Sequence, residues 1–127
     1  HDPAGWDYIT SAEDAAVSFA ATRAQATFCG HVHVPQLYRL LPSRQVSGII
    51  PAPTIEIPLR MEDRWIAVIG SVGQPRDGNP AACYGALETE RNILVYVRVP
   101  YDVETAARKI QQAGLPPILG LRLLEGM

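Results

Sequence analysis

The alternation of apolar and polar positions divides the chain into short elements. After Ser11, the residues Ala12, Ala15, Ala16, Phe19 and Ala20 recur at helical spacing. Asp14 stands three residues beyond Ser11, a capping-box-like pair, so a helix with a small-residue core face should open at Ser11 and end near Arg23. The apolar run Ala26-Thr27-Phe28-Cys29 reads as a buried strand that stops at Gly30. Leu37 to Leu41 reads as a strand broken by Pro42 and Ser43. Thr54-Ile55-Glu56-Ile57 alternates between Pro53 and Pro58. A turn over Met61 to Arg64 leads into Trp65-Ile66-Ala67-Val68-Ile69, a near-continuous apolar strand ending at Gly70. A polar loop runs from Ser71 to Pro80. Ala82 to Glu88 and Asn92 to Val99 read as strands around a turn, with Ile93, Val95, Val97 and Val99 on one face.

Two helices close the pattern. Asp102 can cap a helix through Ala113, with the stripe Val103, Ala106, Ala107 and Ile110, and Gly114 occupies the position glycine favours after a helix. Pro116 or Pro117 starts a last helix carrying Leu119, Leu121, Leu123 and Leu124. The order is helix, several consecutive strands, helix, helix. Consecutive strands favour antiparallel or mixed pairing over a βαβ unit.

Composition narrows the class. The 127 residues suit a single domain over 1–127, and 47% hydrophobic with 19% charged is ordinary for a globular chain. The net charge of −2 comes from interspersed acids and bases, so no nucleic-acid-binding or membrane-surface signature stands out. No apolar run approaches the roughly 20 residues of a membrane span, and no signal peptide is legible. The chain does not begin with Met, so its start is read as cut or engineered. Cys29 and Cys83 read as reduced thiols of a cytoplasmic protein.

The chemistry concentrates in Gly30-His31-Val32-His33, which holds two of the three histidines. In an extended backbone, residues at i and i+2 point to the same side, about 6.5 to 7 Å apart. Two such imidazoles can each reach one of two metals about 3.5–4 Å apart, and imidazole suits Mn, Fe, Zn, Co or Ni. A bare His-x-His is short and is more often a pair of loop histidines that bind nothing. Cys29 could be a soft ligand but reads better as a small strand hydrophobe.

Context extends the motif. Phe28-Cys29-Gly30-His31-Val32-His33-Val34-Pro35 resembles the Gly-His-x-His motif of calcineurin-like metallophosphoesterases. Gly70-Ser71-Val72-Gly73-Gln74-Pro75-Arg76-Asp77-Gly78 resembles the loop after the next core strand in bacterial members. Pro80 to Tyr84, and Val99 to Asp102 with the closing helices, fit the same group's C-terminal end. The resemblance implies an α/β fold, the C-terminal part of a four-layer α/β/β/α sandwich with mixed or antiparallel strands. It implies a metal-dependent phosphoric ester hydrolase, a phosphomonoesterase or phosphodiesterase, with two divalent metal ions. Carried over residue by residue, His31 binds one metal and His33 the other. A bridging hydroxide would then attack phosphorus in line.

The family's other motifs, Asp-x-His, Gly-Asp and Gly-Asn-His-Asp, do not occur in this sequence. They supply the carboxylates and the catalytic histidine, so no catalytic residue is assigned. Two histidines fall short of the three or four ligands a divalent ion needs. The chain alone should therefore bind metal poorly and not turn over, unless a missing N-terminal half or a partner chain completes the site. His1 is either a further family ligand upstream of a substrate loop, of which Pro3 to Tyr8 resembles the end, or a tag remnant or truncation artefact. Ser71, Gln74 and Arg76 are candidates for phosphate or leaving-group contact, Arg76 by its bidentate fork. The alternative is a turn that packs against the metal loop, with Gly70 and Gly73 serving backbone geometry. Trp6 and Tyr8 either stack on an aromatic leaving group or anchor the rim. Asp63, Asp77 and Glu62 are expected to be solvated turn residues. The competing class is a non-catalytic interaction domain on the same fold, associating as a homodimer through a strand edge or sheet face.

Overall fold

The computed structural model describes residues 7–127. His1 and Trp6 therefore lie outside the described residues. The first helix, α1, spans Ala12–Ala21. Ser11 Oγ accepts from the Asp14 N–H, and the Asp14 carboxylate accepts from the N–H groups of Ser11 and Thr10. This is the reciprocal cap that the spacing of Ser11 and Asp14 suggests. The helix stops two residues before Arg23, at an extended Thr22.

Seven strands follow: β1 (Ala26–Cys29), β2 (Gln36–Leu40), β3 (Val46–Ile49), β4 (Ile57–Pro58), β5 (Arg64–Val68), β6 (Ala82–Glu88) and β7 (Ile93–Val99). One sheet has the order β1-β5-β2-β3, with β1 parallel to β5 and the other pairs antiparallel. The other is antiparallel, β4-β7-β6. The architecture is mixed α/β, with helices at both ends of the chain. No helix among the described residues is long and apolar enough to cross a membrane.

β5 explains the layering. Its residues Trp65 to Val68 are all buried, as a central strand covered on both faces must be. Trp65 and Ala67 face the second sheet and pack with Leu37, Leu94 and Tyr96. Ile66 and Val68 face α1 and pack with Ala15, Phe19 and Tyr38. Burying each such large apolar side chain contributes about 1.5–3 kcal/mol. Tyr96 Oη crosses between the sheets to donate to the Gln36 carbonyl at 3.0 Å. Burial pushes the Tyr96 hydroxyl far above its ordinary pKa.

Two sequence expectations need correction, for Thr54 and Asp63, and two features, the inner face of β7 and strand β3, are not anticipated by the sequence pattern. The valine face of β7 exists, but the inner face is the other one: Leu94 is 0% exposed and Val99 44%. Both faces of β7 are apolar, so period alone does not decide which meets the first sheet. Thr54 is not in a strand; it sits in a turn with φ 66°, and only Ile57 and Pro58 pair with β7. β3 gives no clear signal in the sequence, because Ser47 and Gly48 dilute its apolar character. Gly48 is there because the Tyr38 ring would lie 2.9 Å from any Cβ. Asp63 is not solvated: it is 1% exposed and accepts from Arg39 Nε at 2.7 Å.

Helix α2 (Val103–Gln112) is capped by the Asp102 side chain, which accepts from the Thr105 N–H. Helix α3 (Pro117–Glu125) packs on it, with Gly120 allowing close approach to the Ala107 carbonyl. The α3 cap, Gly126, has φ 68°, and its carbonyl accepts from the Gly78 N–H at 2.9 Å.

Candidate metal centre

β1 and β5 run in parallel, and a 2.9 Å bond from the Ile69 N–H to the Cys29 carbonyl carries their register to the last residue of β1. The chain then turns through residues 30–35 into β2. The backbone there is not extended. His31 has φ 76° and His33 φ 66°, the left-handed region that non-glycine residues visit at a cost of about 1–3 kcal/mol each. The same-side reasoning for an i, i+2 pair on a strand therefore does not apply. Instead Val32, between them, packs on the α1-side core with Cys29. His31 is exposed and His33 half-buried.

Each histidine has its own support. His33 Nδ1 lies 2.9 Å from the Gln74 carbonyl oxygen. A carbonyl only accepts, so Nδ1 carries a proton, and in the neutral ring the lone pair is then on Nε2. The Arg76 N–H donates to the His33 carbonyl at 3.1 Å, a second tie between the two loops. His31 stacks on Tyr8, with ring centroids 4.3 Å apart and planes 10° from parallel.

The loop after β5 is built to present that carbonyl. Gly70 has φ 86°, and a Cβ there would meet Cys83 Sγ at 3.1 Å and Pro35 Cδ at 3.4 Å. Ser71 Oγ accepts from the Gln74 N–H at 2.9 Å, and Arg76 Nη2 donates to Gln74 Oε1 at 2.9 Å. Pro75 is fully buried. Asp77 pairs with Arg98 of β7, whose Nη1 also donates to the Ala81 carbonyl at 3.0 Å. Asp77 is thus an exposed turn residue, as expected, whose carboxylate also pairs with Arg98. The fold brings Ser71, Gln74 and Arg76 beside His33. Cys29 Sγ lies 3.8 Å from the Ala67 carbonyl, and burial raises the pKa of its thiol. Cys29 and Cys83 are free cysteines.

No family model matches the sequence. Over 99 residues it is 34% identical to an uncharacterised protein of Methanocaldococcus jannaschii, covering 78% of this chain and 38% of that protein. The crystal structure of a metallophosphoesterase from Sphaerobacter thermophilus aligns with a TM-score of 0.86 and 33% identity, over 96% of this chain and 50% of that one. The mixed α/β architecture, with helices at both ends, matches a C-terminal part of a metallophosphoesterase fold. The chain spans about half the length of that solved structure.

Divalent metal ions are the cofactors that a metallophosphoesterase fold implies. The donor type fits: the His33 ring is oriented through Nδ1 by a main-chain carbonyl, the arrangement in which Nε2 of a neutral imidazole serves as a ligand. The donor number does not. Among the described residues no group of three or more His, Cys, Asp or Glu side chains could hold a metal ion. His1 is outside the described residues. Sequence reasoning missed Tyr8 as the His31 stacking partner and the Arg98–Asp77 brace. Spacing carries no signal for either, since both join distant segments.

Proposed function

We propose that this chain supplies the histidine pair of a binuclear metal site in a phosphoric ester hydrolase, with His31 on one metal and His33 on the other. The observation that carries the reading is the bond from His33 Nδ1 to the Gln74 carbonyl. It orients the ring, which supports a ligand role, and it is held within a fold shared with a metallophosphoesterase. Two divalent ions bound there would supply Lewis-acid polarisation of the phosphoryl group. The chain's own part is to hold two oriented imidazoles on a strained turn, and to set Arg76 close by. The Arg76 guanidinium, on an exposed residue, reaches a phosphate oxygen by exchanging its bond to Gln74 Oε1. Ser71 and Gln74 shape that loop and line the phosphate side. The remaining ligands come from residues outside those described, His1 among the candidates, or from a partner chain. The substrate is a phosphomonoester or phosphodiester.

The test is hydrolysis of p-nitrophenyl phosphate and of bis-p-nitrophenyl phosphate, with and without Mn²⁺, in this chain and its His31→Ala variant. Turnover that needs the metal and is abolished by the substitution supports the reading and assigns the other ligands to a partner or to the undescribed residues. Metal-dependent turnover unchanged in His31→Ala rejects His31 as a ligand. No turnover in either form is what a chain holding half a site gives, and it also raises a second reading, an association domain. One observation favours that reading: β1 is an edge strand of the described sheet and Phe28 on it is 43% exposed. A homodimer by light scattering, without metal-dependent activity, would favour it.

A further inference from the structure

A cavity of about 400 Å³ lies at the end of the first sheet away from the histidine loop. Its walls are the last turn of α1, the turn between β2 and β3, and the start of β5. Leu40 stands opposite both Arg64 and Val46 in register, which places the cavity where β5 begins. The histidine loop leaves the other end of β1, so the two are separated by the strand's length, roughly 13 Å at about 3.3 Å per residue.

Three arginines line this cavity, Arg23, Arg44 and Arg64, and no Asp or Glu does. In a chain with net charge −2, such a local excess of positive charge is not a consequence of composition. Arg64 has a structural role. It donates to the carbonyls of Phe19 (3.0 Å), Thr22 and Ala24 (3.2 Å), and its guanidinium sits 5.5 Å over the Phe19 ring. That satisfies free carbonyls at the end of α1 and cancels the negative end of its dipole, which would otherwise repel an anion. Arg23 and Arg44 differ from it, since neither guanidinium has a hydrogen-bond or ion-pair partner among the described residues. Arg44 is held at φ 68° in the β2–β3 turn by bonds from the Arg44 N–H to the Leu41 carbonyl and from the Leu41 N–H to the Gln45 carbonyl, both 2.9 Å. The rest of the lining is largely apolar, with Phe19, Leu40 and Val46.

We propose that this cavity is a second ligand site, separate from the histidine loop, for a small organic phosphate or phosphonate. The anionic head lies between Arg23 and Arg44, each of which offers a guanidinium fork to it. The apolar body lies over Leu40 and Val46, the half-buried apolar side chains of the lining. The inference does not depend on the hydrolase reading.

Calorimetric titration with phenylphosphonate in EDTA tests it, because the chelator silences any divalent-metal site. Inorganic phosphate and benzyl alcohol are the head-only and body-only probes. One saturable site in the millimolar range or tighter is expected for phenylphosphonate, weaker binding for phosphate and none for benzyl alcohol. Arg23→Gln and Arg44→Gln should each weaken phenylphosphonate about tenfold, the loss of one charge-assisted bond. Both positions are exposed, so the melting temperatures should stay within a degree or two of wild type, about the shift expected of surface substitutions. His31→Ala should leave the binding unchanged. Absence of saturable phenylphosphonate binding overturns the proposal. So does binding that survives Arg23→Gln and Arg44→Gln combined, or binding that His31→Ala abolishes.

Discussion

Arg98→Met removes the brace that holds the loop carrying the Gln74 carbonyl. Arg98 and Asp77 are an ion pair whose side chains are 11% and 19% exposed. At an effective dielectric of 20, contact between two such charges is worth about 4 kcal/mol before desolvation. Desolvation returns part of this, leaving a coupling of about 2 kcal/mol. The bond from Arg98 Nη1 to the Ala81 carbonyl, 3.0 Å long, adds about 1.5 kcal/mol because its donor is charged. Arg98→Met should therefore cost about 3.5 kcal/mol and Asp77→Asn about 2 kcal/mol. The double variant should cost about 3.5 kcal/mol rather than about 5.5, since the coupling is lost only once. Urea unfolding followed by tryptophan fluorescence measures all three. A second readout is specific to the orientation of the His33 ring. Nitrogen NMR of wild type should find His33 protonated on Nδ1, and Arg98→Met should mix the two tautomers. Costs that add within about 0.5 kcal/mol would mean the pair is not coupled in solution and would refute the reasoning.

Gly70→Ala should lose about 2 kcal/mol by thermal melting, because the left-handed backbone penalises any Cβ and Cys83 crowds this one. Tyr8→Ala should shift the ring resonances of His31 downfield by removing the stacked face, while Tyr8→Phe should leave them in place; identical spectra for both variants would exclude the stack. The caps of α1 and α2 make stability depend on acid pH. The Asp14 carboxyl is held below its ordinary value of 3.8, first by the Thr10 N–H, then by the Thr10 and Ser11 hydroxyls. Asp102 is lowered by its bonds from the Thr105 side chain and N–H. A depressed folded-state pKa contributes stability that is complete above the unfolded value and lost as pH falls through the folded one. The melting temperature should thus drop below pH 3.8, less steeply in Asp14→Asn with Asp102→Asn.

Much of the element order is legible in the sequence, for identifiable reasons. Ser11 with Asp14, and Asp102 with Gly114, mark helix ends by side-chain hydrogen bonds and by glycine's tolerance of positive φ, both local effects. The run from Trp65 to Val68 is buried on both faces, so it is apolar at every position. What is not legible depends on distant partners. Ser47-Gly48 pairs as a strand because Tyr38 lies over the glycine, and Asp63 is buried because Arg39 comes from another strand. The candidate site divides the same way. The histidines stand out by residue type, but the turn that places them does not follow from an i, i+2 pattern. The orienting group on His33 is a main-chain carbonyl, which any residue at position 74 would carry.

The most direct test of the histidine pair is Mn²⁺ added substoichiometrically to the ¹⁵N-labelled chain, with the imidazole ring signals followed by NMR. Paramagnetic broadening falls steeply with distance, so it marks ligands even where binding is weak. The ring signals of His31 and His33 should broaden together, ahead of all others, and recover with EDTA. Broadening that spares both rings, or that is spread over surface carboxylates such as Glu62 and Glu125, would contradict the metal-ligand assignment.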